Sequence, residues 1–309
     1  MSADPTPPHD PGSVRSGFVA LVGRPNAGKS TLVNAVVGSK VAITSDTPQT
    51  TRHRLRAIVD TDDAQIVLVD TPGLHKPYDA LGEELNRSGF MALSDVDVAC
   101  LVVDSSAPVG GGDRWVAQHV AKSQATTVLV LTKADLVDQE RIERQLAAAR
   151  ALLAFDDEVV VSAVDDFNVD RFVATVTGLL PQGPRYFPRD MATDQPLEVM
   201  IAEFIREKIL RSTFDEVPHA VGVAVEDLEY VSGGDLARIT ATVFVERESQ
   251  KGIIVGKGGE MIKRIGSEAR ADLERLLGSR VYLDLMVKVK RNWRRDASQI
   301  RRFGYGEGL

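Results

Sequence analysis

The run Gly23-Arg24-Pro25-Asn26-Ala27-Gly28-Lys29-Ser30, with Thr31 after it, has the residue types and spacing of a phosphate-cradling loop. Its glycines let backbone N–H groups curl around an anion, and the helix opening at its end adds positive potential. Lys29 is placed to reach the β- and γ-phosphates of a nucleoside triphosphate, and Ser30 to hold Mg2+. Three more stretches follow in order. Asp70-Thr71-Pro72-Gly73 sets a carboxylate where it would face that metal, and Gly73 can offer its N–H to a γ-phosphate. Thr132-Lys133-Ala134-Asp135 has the spacing of the guanine-reading pattern N-K-x-D. The Asp135 carboxylate can accept from the N1–H and exocyclic amine of guanine, donors that adenine does not present. Ser162-Ala163 falls where a further base-contacting loop belongs. Each later stretch is weak alone, but the ordered set implies binding of GTP or GDP with Mg2+, and hydrolysis of GTP.

These residues need strands to bring them to one edge. Short apolar runs at 18–22, 55–59, 66–69, 98–103, 128–131 and 159–161 alternate with helical patterns at 30–37, 83–93, 114–123, 140–153 and 169–180. That βα rhythm implies a mostly parallel sheet covered on both faces, with every motif at a strand's C-terminal end. The runs flanking Asp60 to Gln65 are too close for a helical crossover, so they are expected to form an antiparallel hairpin. Pro181-Gln182-Gly183-Pro184 ends the rhythm, and 182–196 reads as a turn-rich linker.

Beyond it the pattern changes to α-β-β-α-α-β. Leu197, Met200, Ile201, Phe204, Ile205 and Ile209 recur at helical spacing, and Val281, Leu283, Leu285, Val287 and Val289 alternate with period two. Between two helical segments lies Ile254-Val255-Gly256-Lys257-Gly258-Gly259. This is a G-x-x-G loop, in which a side chain would keep phosphates away from the helix N-termini and Lys257 adds a mobile positive charge. A bare G-x-x-G is also an ordinary helix–helix turn. The flanking apolar residues and the charge favour the RNA-binding reading. The net charge is −7, yet 251–303 holds 14 Lys and Arg against 6 Asp and Glu, a basic patch in an acidic chain. Lys263, Lys288, Lys290 and Arg291 belong to it.

With those residues in view, the first domain resembles the translation-factor class of GTPases, and Gln49-Thr50-Thr51-Arg52-His53 resembles the switch I element of its Era/TrmE-like branch. The resemblance implies that Thr51 closes on Mg2+ and the γ-phosphate, making Ser30, Thr51 and Asp70 the metal ligands and Lys29, Thr51, Gly73 and Asn26 the catalytic set. Two departures stand out. Thr132 replaces the asparagine that would contact the base and brace the phosphate loop, so weaker nucleotide binding is expected. Leu74 stands where other GTPases orient water with glutamine. Relatives with such a replacement use K+ held by the asparagine at the position of Asn26, and neither Arg24 nor Arg52 sits where the family uses an arginine finger.

From Gly17 to the C-terminus the chain is similar to the Era family of bacterial GTPases, notably through Gly23–Ser30, Gln49–His53, 245–259, Val287-Lys288-Val289-Lys290 and Gly304-Tyr305. The resemblance implies an α/β P-loop GTPase domain at 17–181 and an α+β type II KH domain at 197–309 with a C-terminal tail. Residues 1–16 read as a disordered, proline-rich tail without a signal-peptide core. The family further implies 16S rRNA near its 3′ end as ligand, a role in small ribosomal subunit assembly, and for some members membrane association. No insertion element in the sequence supplies the last. A cytoplasmic monomer is expected, partly at the inner face of the cell membrane if that association holds. The single cysteine, Cys100, lies in an apolar run and reads as a core residue. The rival readings are an RNA-binding scaffold with an impaired nucleotide site, and a membrane-associated GTPase.

Overall fold

The computed structural model describes residues 14–77, 79–303 and 305. The first domain runs β1 (Val14–Gly23), α1 (Lys29–Val37), β2 (Leu55–Asp60), β3 (Ala64–Asp70), α2 (Ala80–Met91), β4 (Val98–Asp104), α3 (Gly111–Val120), β5 (Thr126–Thr132), α4 (Gln139–Arg150), β6 (Asp157–Val160), α5 (Val169–Leu179) and β7 (Gln182–Gly183). Strand order is β2-β3-β1-β4-β5-β6, parallel except for the β2–β3 hairpin. Helices cover both faces over two apolar layers, one around Leu21, Ile66 and Phe172 and the other around Leu101, Val116 and Leu131. Cys100 lies in the first layer, fully buried, and burial pushes its thiol pKa up.

Two boundary expectations change. Val14, Arg15 and Ser16 are not tail: they are the start of β1, where Arg15 pairs with Ala64 on one side and Gln182 on the other. Residues 1–13 lie outside the described residues. The stretch 182–196 is not a free linker either. Gln65, fully buried, accepts from the Tyr186 and Phe187 amides and donates to the Phe187 carbonyl, while Arg185 pairs with Asp60 at 2.9 Å. Ala192 and Thr193 then bind the backbone of β2. A buried glutamine must find partners for its amide, and this segment provides them. It is sewn to the first domain before the second begins.

The second domain comprises α6 (Leu197–Ser212), α7 (Val217–Ala220), β8 (Gly222–Val231), β9 (Leu236–Val245), α8 (Glu248–Val255), α9 (Glu260–Leu277), β10 (Arg280–Val289) and α10 (Ala297–Arg302). Its sheet order is β10-β9-β8, with β8–β9 antiparallel and β9–β10 parallel, as a type II KH fold requires. The inward-facing alternates, among them Ile239, Ala241, Val243 and Val281, pack under Ile265, Ala269 and Leu273 of α9. The C-terminal segment does not trail away. Trp293, Phe303 and Tyr305 are buried with Phe244 of the second domain and Leu81 and Leu85 of the first, so this aromatic cluster joins the two. Gly304 lies outside the described residues.

Candidate functional site

Backbone geometry shapes the phosphate loop. Gly28 sits at φ 87° and Asn26 at φ 60°, left-handed conformations that turn successive N–H groups inward. Gly73 has a different reason to be glycine: a Cβ there would stand 2.5 Å from Pro25 Cα, so only a bare backbone lets the Asp70–Gly73 turn touch the loop. Lys29 is almost fully buried, and its ammonium donates to the Gly23 and Arg24 carbonyls at 3.2 and 3.0 Å. Burial pushes its pKa down to about 8 despite the nearby Asp70. An arriving phosphate would favour the charged form again.

The three expected metal ligands do meet. Ser30 Oγ donates to Asp70 Oδ2 at 2.6 Å, which leaves it to accept from the Thr51 hydroxyl at 2.8 Å. The other Asp70 oxygen, Oδ1, is buried and has no hydrogen-bond partner among the described residues, and burial raises the carboxyl's pKa. A buried orphan acceptor beside two hydroxyls is a costly arrangement for a carboxylate alone. It is the hard oxygen donor set that Mg2+ takes.

Thr132 corrects the expectation that the loop brace is lost. Its hydroxyl lies 2.7 Å from Ala27 O and 3.1 Å from Val103 O, and its single proton goes best to the nearer, a carbonyl of the phosphate loop. The brace survives with a shorter side chain. Lys133, at φ 58°, pairs with Asp104 at 2.7 Å, and the exposed Asp135 carboxylate accepts from Ser162 Oγ at 2.7 Å. Ser162 therefore orients the carboxylate expected to read guanine, while the partly buried Ala163 packs on the core. Thr71 donates to Leu21 O at 2.8 Å, and Pro72 is buried.

A cavity of about 390 Å3 opens over the loop, lined by Pro25 through Thr31, by Thr44–Asp46 and Gln49–Thr51, and by Gly73 and Lys133. Asn26 Nδ2 donates to Asp46 O at 2.5 Å, tying the loop to the segment before switch I. Gln49 Nε2 lies 2.6 Å from His75 Nε2, while His75 Nδ1 lies 2.8 Å from Lys76 O. That joins switch I to the residues after Gly73. Leu74 is fully buried in the core under α2 and takes no part in the cavity. Arg24 pairs with Asp113 of α3 at 2.8 Å. Arg52 points the other way, fully buried, donating to Val221 O at 2.5 Å and His219 O at 3.1 Å in the second domain.

The G-x-x-G loop joins α8 to α9 as expected. Lys257 and Gly258 are exposed at its tip, and Lys263 is exposed on the first turn of α9. Val255, Gly256 and Gly259 are partly buried at its base. Ile254 is corrected: it is fully buried in the domain core, because the α8 face it occupies turns inward. Lys288 is exposed on β10, on the strand's opposite face from the inward Val287 and Val289. Lys290 bonds Gln299 of α10 and approaches the Phe244 ring. Arg291 is exposed in a polar hollow that it shares with Arg247, Arg294 and Arg295 and with Asp79, Glu246 and Glu248, Arg294 being paired with Asp79 and Glu246.

Comparison with known proteins agrees with this anatomy. A 50S ribosome-binding GTPase family model matches residues 18–133, and a KH domain model matches residues 216–294. A variant of Era from Aquifex aeolicus bound to GDP.AlF4- superposes with a TM-score of 0.92 at 34% identity, covering 95% of this chain and 100% of that one. An Era structure in complex with MgGDPNP and nucleotides 1506–1542 of 16S ribosomal RNA gives the same values. With the magnesium triad assembled, the guanine carboxylate held and the G-x-x-G loop exposed on a type II KH fold, the chain belongs to the Era family of GTPases.

Proposed function

We propose that this GTPase binds the 3′-terminal region of 16S rRNA through its KH domain and uses GTP hydrolysis to time its part in small-subunit assembly. The observation that carries the reading is the Ser30–Thr51–Asp70 cluster with its orphaned Asp70 oxygen, in the same chain as an exposed G-x-x-G loop. Both sites lie on one chain, so a monomer suffices. Thr51 comes from switch I, and its place beside Ser30 makes this metal-ligand set complete only when switch I is closed. Mg2+, when bound, supplies charge at the β- and γ-phosphate oxygens. Lys29 adds its own charge there, and the Gly73 N–H and the loop amides orient the transferring group. Asp135, held by Ser162, selects guanine.

Leu74 has no polar atom and is buried, so it cannot orient the attacking water, and with Arg24 held by Asp113 and Arg52 by the Val221 carbonyl the charge of an arginine finger needs another source. We assign it to K+. Asn26 Nδ2 bonds Asp46 O, which brings two oxygen donors, Asn26 Oδ1 and that carbonyl, to one edge of the cavity. Turnover in KCl is expected to exceed turnover in matched NaCl, and Asn26→Ala to abolish the difference. Among the described residues no helix is long and apolar enough to cross a membrane. The whole reading is tested by Mg2+-dependent phosphate release from GTP against ATP, alongside filter binding of an RNA spanning nucleotides 1506–1542. Release that ignores Mg2+ or the base, or RNA affinity no better than for an unrelated strand, would overturn it.

A further inference from the structure

The second domain contributes one residue to the lining of the nucleotide cavity. Arg211, on the last turn of α6, lines the same cavity as Lys29, Ser30 and Thr51. Its partner there is Thr44, also a lining residue, in the segment between α1 and switch I. Helix α6 grips that one residue from both sides of its peptide. Glu207 Oε1 accepts from Thr44 N–H at 3.0 Å. One turn on, Arg211 donates to Thr44 O from Nε at 3.2 Å and from Nη2 at 3.1 Å, and to Thr44 Oγ1 at 3.0 Å. Glu207 and Arg211 are themselves paired at 3.2 Å, and Glu207 is fully buried under Lys40 and Lys208. The fork is therefore oriented by a rigid base, although the Arg211 side chain itself is 50% exposed. Its Nη1 has no hydrogen bond among the described residues, so the guanidinium keeps donors free at the rim of a cavity built for polyphosphate.

We propose that Arg211 is a positioning residue of the nucleotide site supplied by the RNA-binding domain: it holds Thr44 against the bound nucleotide and adds positive charge at the pocket rim. Nucleotide release then depends on α6 being docked, so the state of the second domain is felt at the first. The proposal rests on GTP occupying this cavity. An arginine grip of this kind combines a two-pronged hydrogen bond with a charge, and its loss frees a segment that must otherwise be ordered by the ligand alone.

The test is the dissociation rate of fluorescent mant-GTP and mant-GDP from the full-length protein by stopped flow. Arg211→Ala is expected to speed release about tenfold, the loss of one charge-assisted grip. KM for GTP rises with it while kcat at saturation stays within about twofold, because Lys29, Ser30 and Asp70 are untouched. Arg211→Lys, charge without the fork, and Arg211→Gln, a donor without the charge, are each expected to recover part of the effect. Melting temperature and RNA affinity of all three variants, close to those of the wild type, exclude a general loss of structure. Release rates within twofold of wild type in Arg211→Ala would overturn the proposal. Failure of the wild type itself to retain mant-GTP would instead strike the GTP assignment on which it rests.

Discussion

At the scale of single residues, the nucleotide site works through side chains that do one thing each and are held in place by a neighbour. Asp135 is placed to read guanine, and Ser162 fixes it with a 2.7 Å hydrogen bond. Replacing the acceptor by a donor inverts the pattern at the base edge. Asp135→Asn is expected to lower GTP affinity at least a hundredfold and to gain xanthosine triphosphate, as read by competition against mant-GTP. Thr132 is a smaller and sharper case. Its hydroxyl braces Ala27 O in the phosphate loop. Thr132→Val keeps the shape and removes the donor, leaving a buried carbonyl with one partner fewer, a cost of about 1–2 kcal/mol. GTP affinity is expected to fall roughly tenfold by calorimetry, since that energy range corresponds to about one decade. Unchanged affinity would mean that the loop holds itself without the brace.

At the scale of elements, the loop between α8 and α9 shows that its glycines are not interchangeable. Gly256 sits at φ 73° and ψ 174°, and a Cβ there would stand 2.7 Å from Met261 Cβ and 2.9 Å from Met261 N. Gly256→Ala is expected to distort the start of α9 and lower the melting temperature. Gly258 differs. Its φ of 61° and ψ of 15° lie in the left-handed region that aspartate tolerates, and a Cβ would meet nothing within 4 Å. Gly258→Asp is expected to fold, losing about 1 kcal/mol, yet to put a negative charge where an RNA phosphate belongs. RNA affinity in filter binding is expected to drop tenfold or more, with GTP turnover unchanged. Full RNA affinity in that variant would move the site elsewhere on the domain, the exposed Arg291 being the next candidate.

At the scale of the whole molecule, the two domains are joined by buried charge as well as by the Trp293 cluster. Lys40 of the first domain meets Glu207 and Asp272 of the second, Lys208 pairs with the same two, and Arg206 donates to Thr50 O in switch I. Burial would raise the Asp272 carboxyl, but hydrogen bonds from Lys208 and Lys40 outweigh it and hold the pKa down at about 2. Glu207 is lowered against its own burial by Lys40 and the Thr44 amide, and Glu203 by Arg206. Carboxyls depressed in the folded state contribute stability that is complete above their unfolded values near 4, roughly, and is lost as pH falls towards the folded values. Acid is therefore expected to part the domains between about pH 4 and pH 2, followed by fluorescence of Trp293, buried at the junction. Asp272→Asn leaves Lys40 and Lys208 with one acceptor fewer. It is expected to lower the melting temperature at pH 7 and to flatten the dependence over that acid window. An acid profile identical to wild type would show that the network does not hold the domains together.

What the sequence determined by itself is what depends on local chemistry. Gly23 to Ser30, Asp70, Asp135 and the G-x-x-G loop are legible because their chemistry demands particular residue types at strand ends and helix starts, and spacing alone orders them. Period-two and helical patterns placed the strands and helices because burial imposes those periods whatever the partner. The tertiary structure decided which faces meet. Periodicity says that Ile254 has a buried or an exposed face but not which, and the core took it. Composition made Arg52 and Arg211 two basic residues among many. The fold buried one among the carbonyls of 218–221 and set the other on the rim of the nucleotide cavity, 167 residues away in sequence from the threonine it holds. Sewing 182–196 to Gln65, closing Trp293 and Tyr305 over the domain junction and pairing Thr132 with Ala27 are of the same kind. Each is a contact between segments far apart in the chain, chosen because a buried donor, acceptor or apolar face had to be satisfied once the chain had folded.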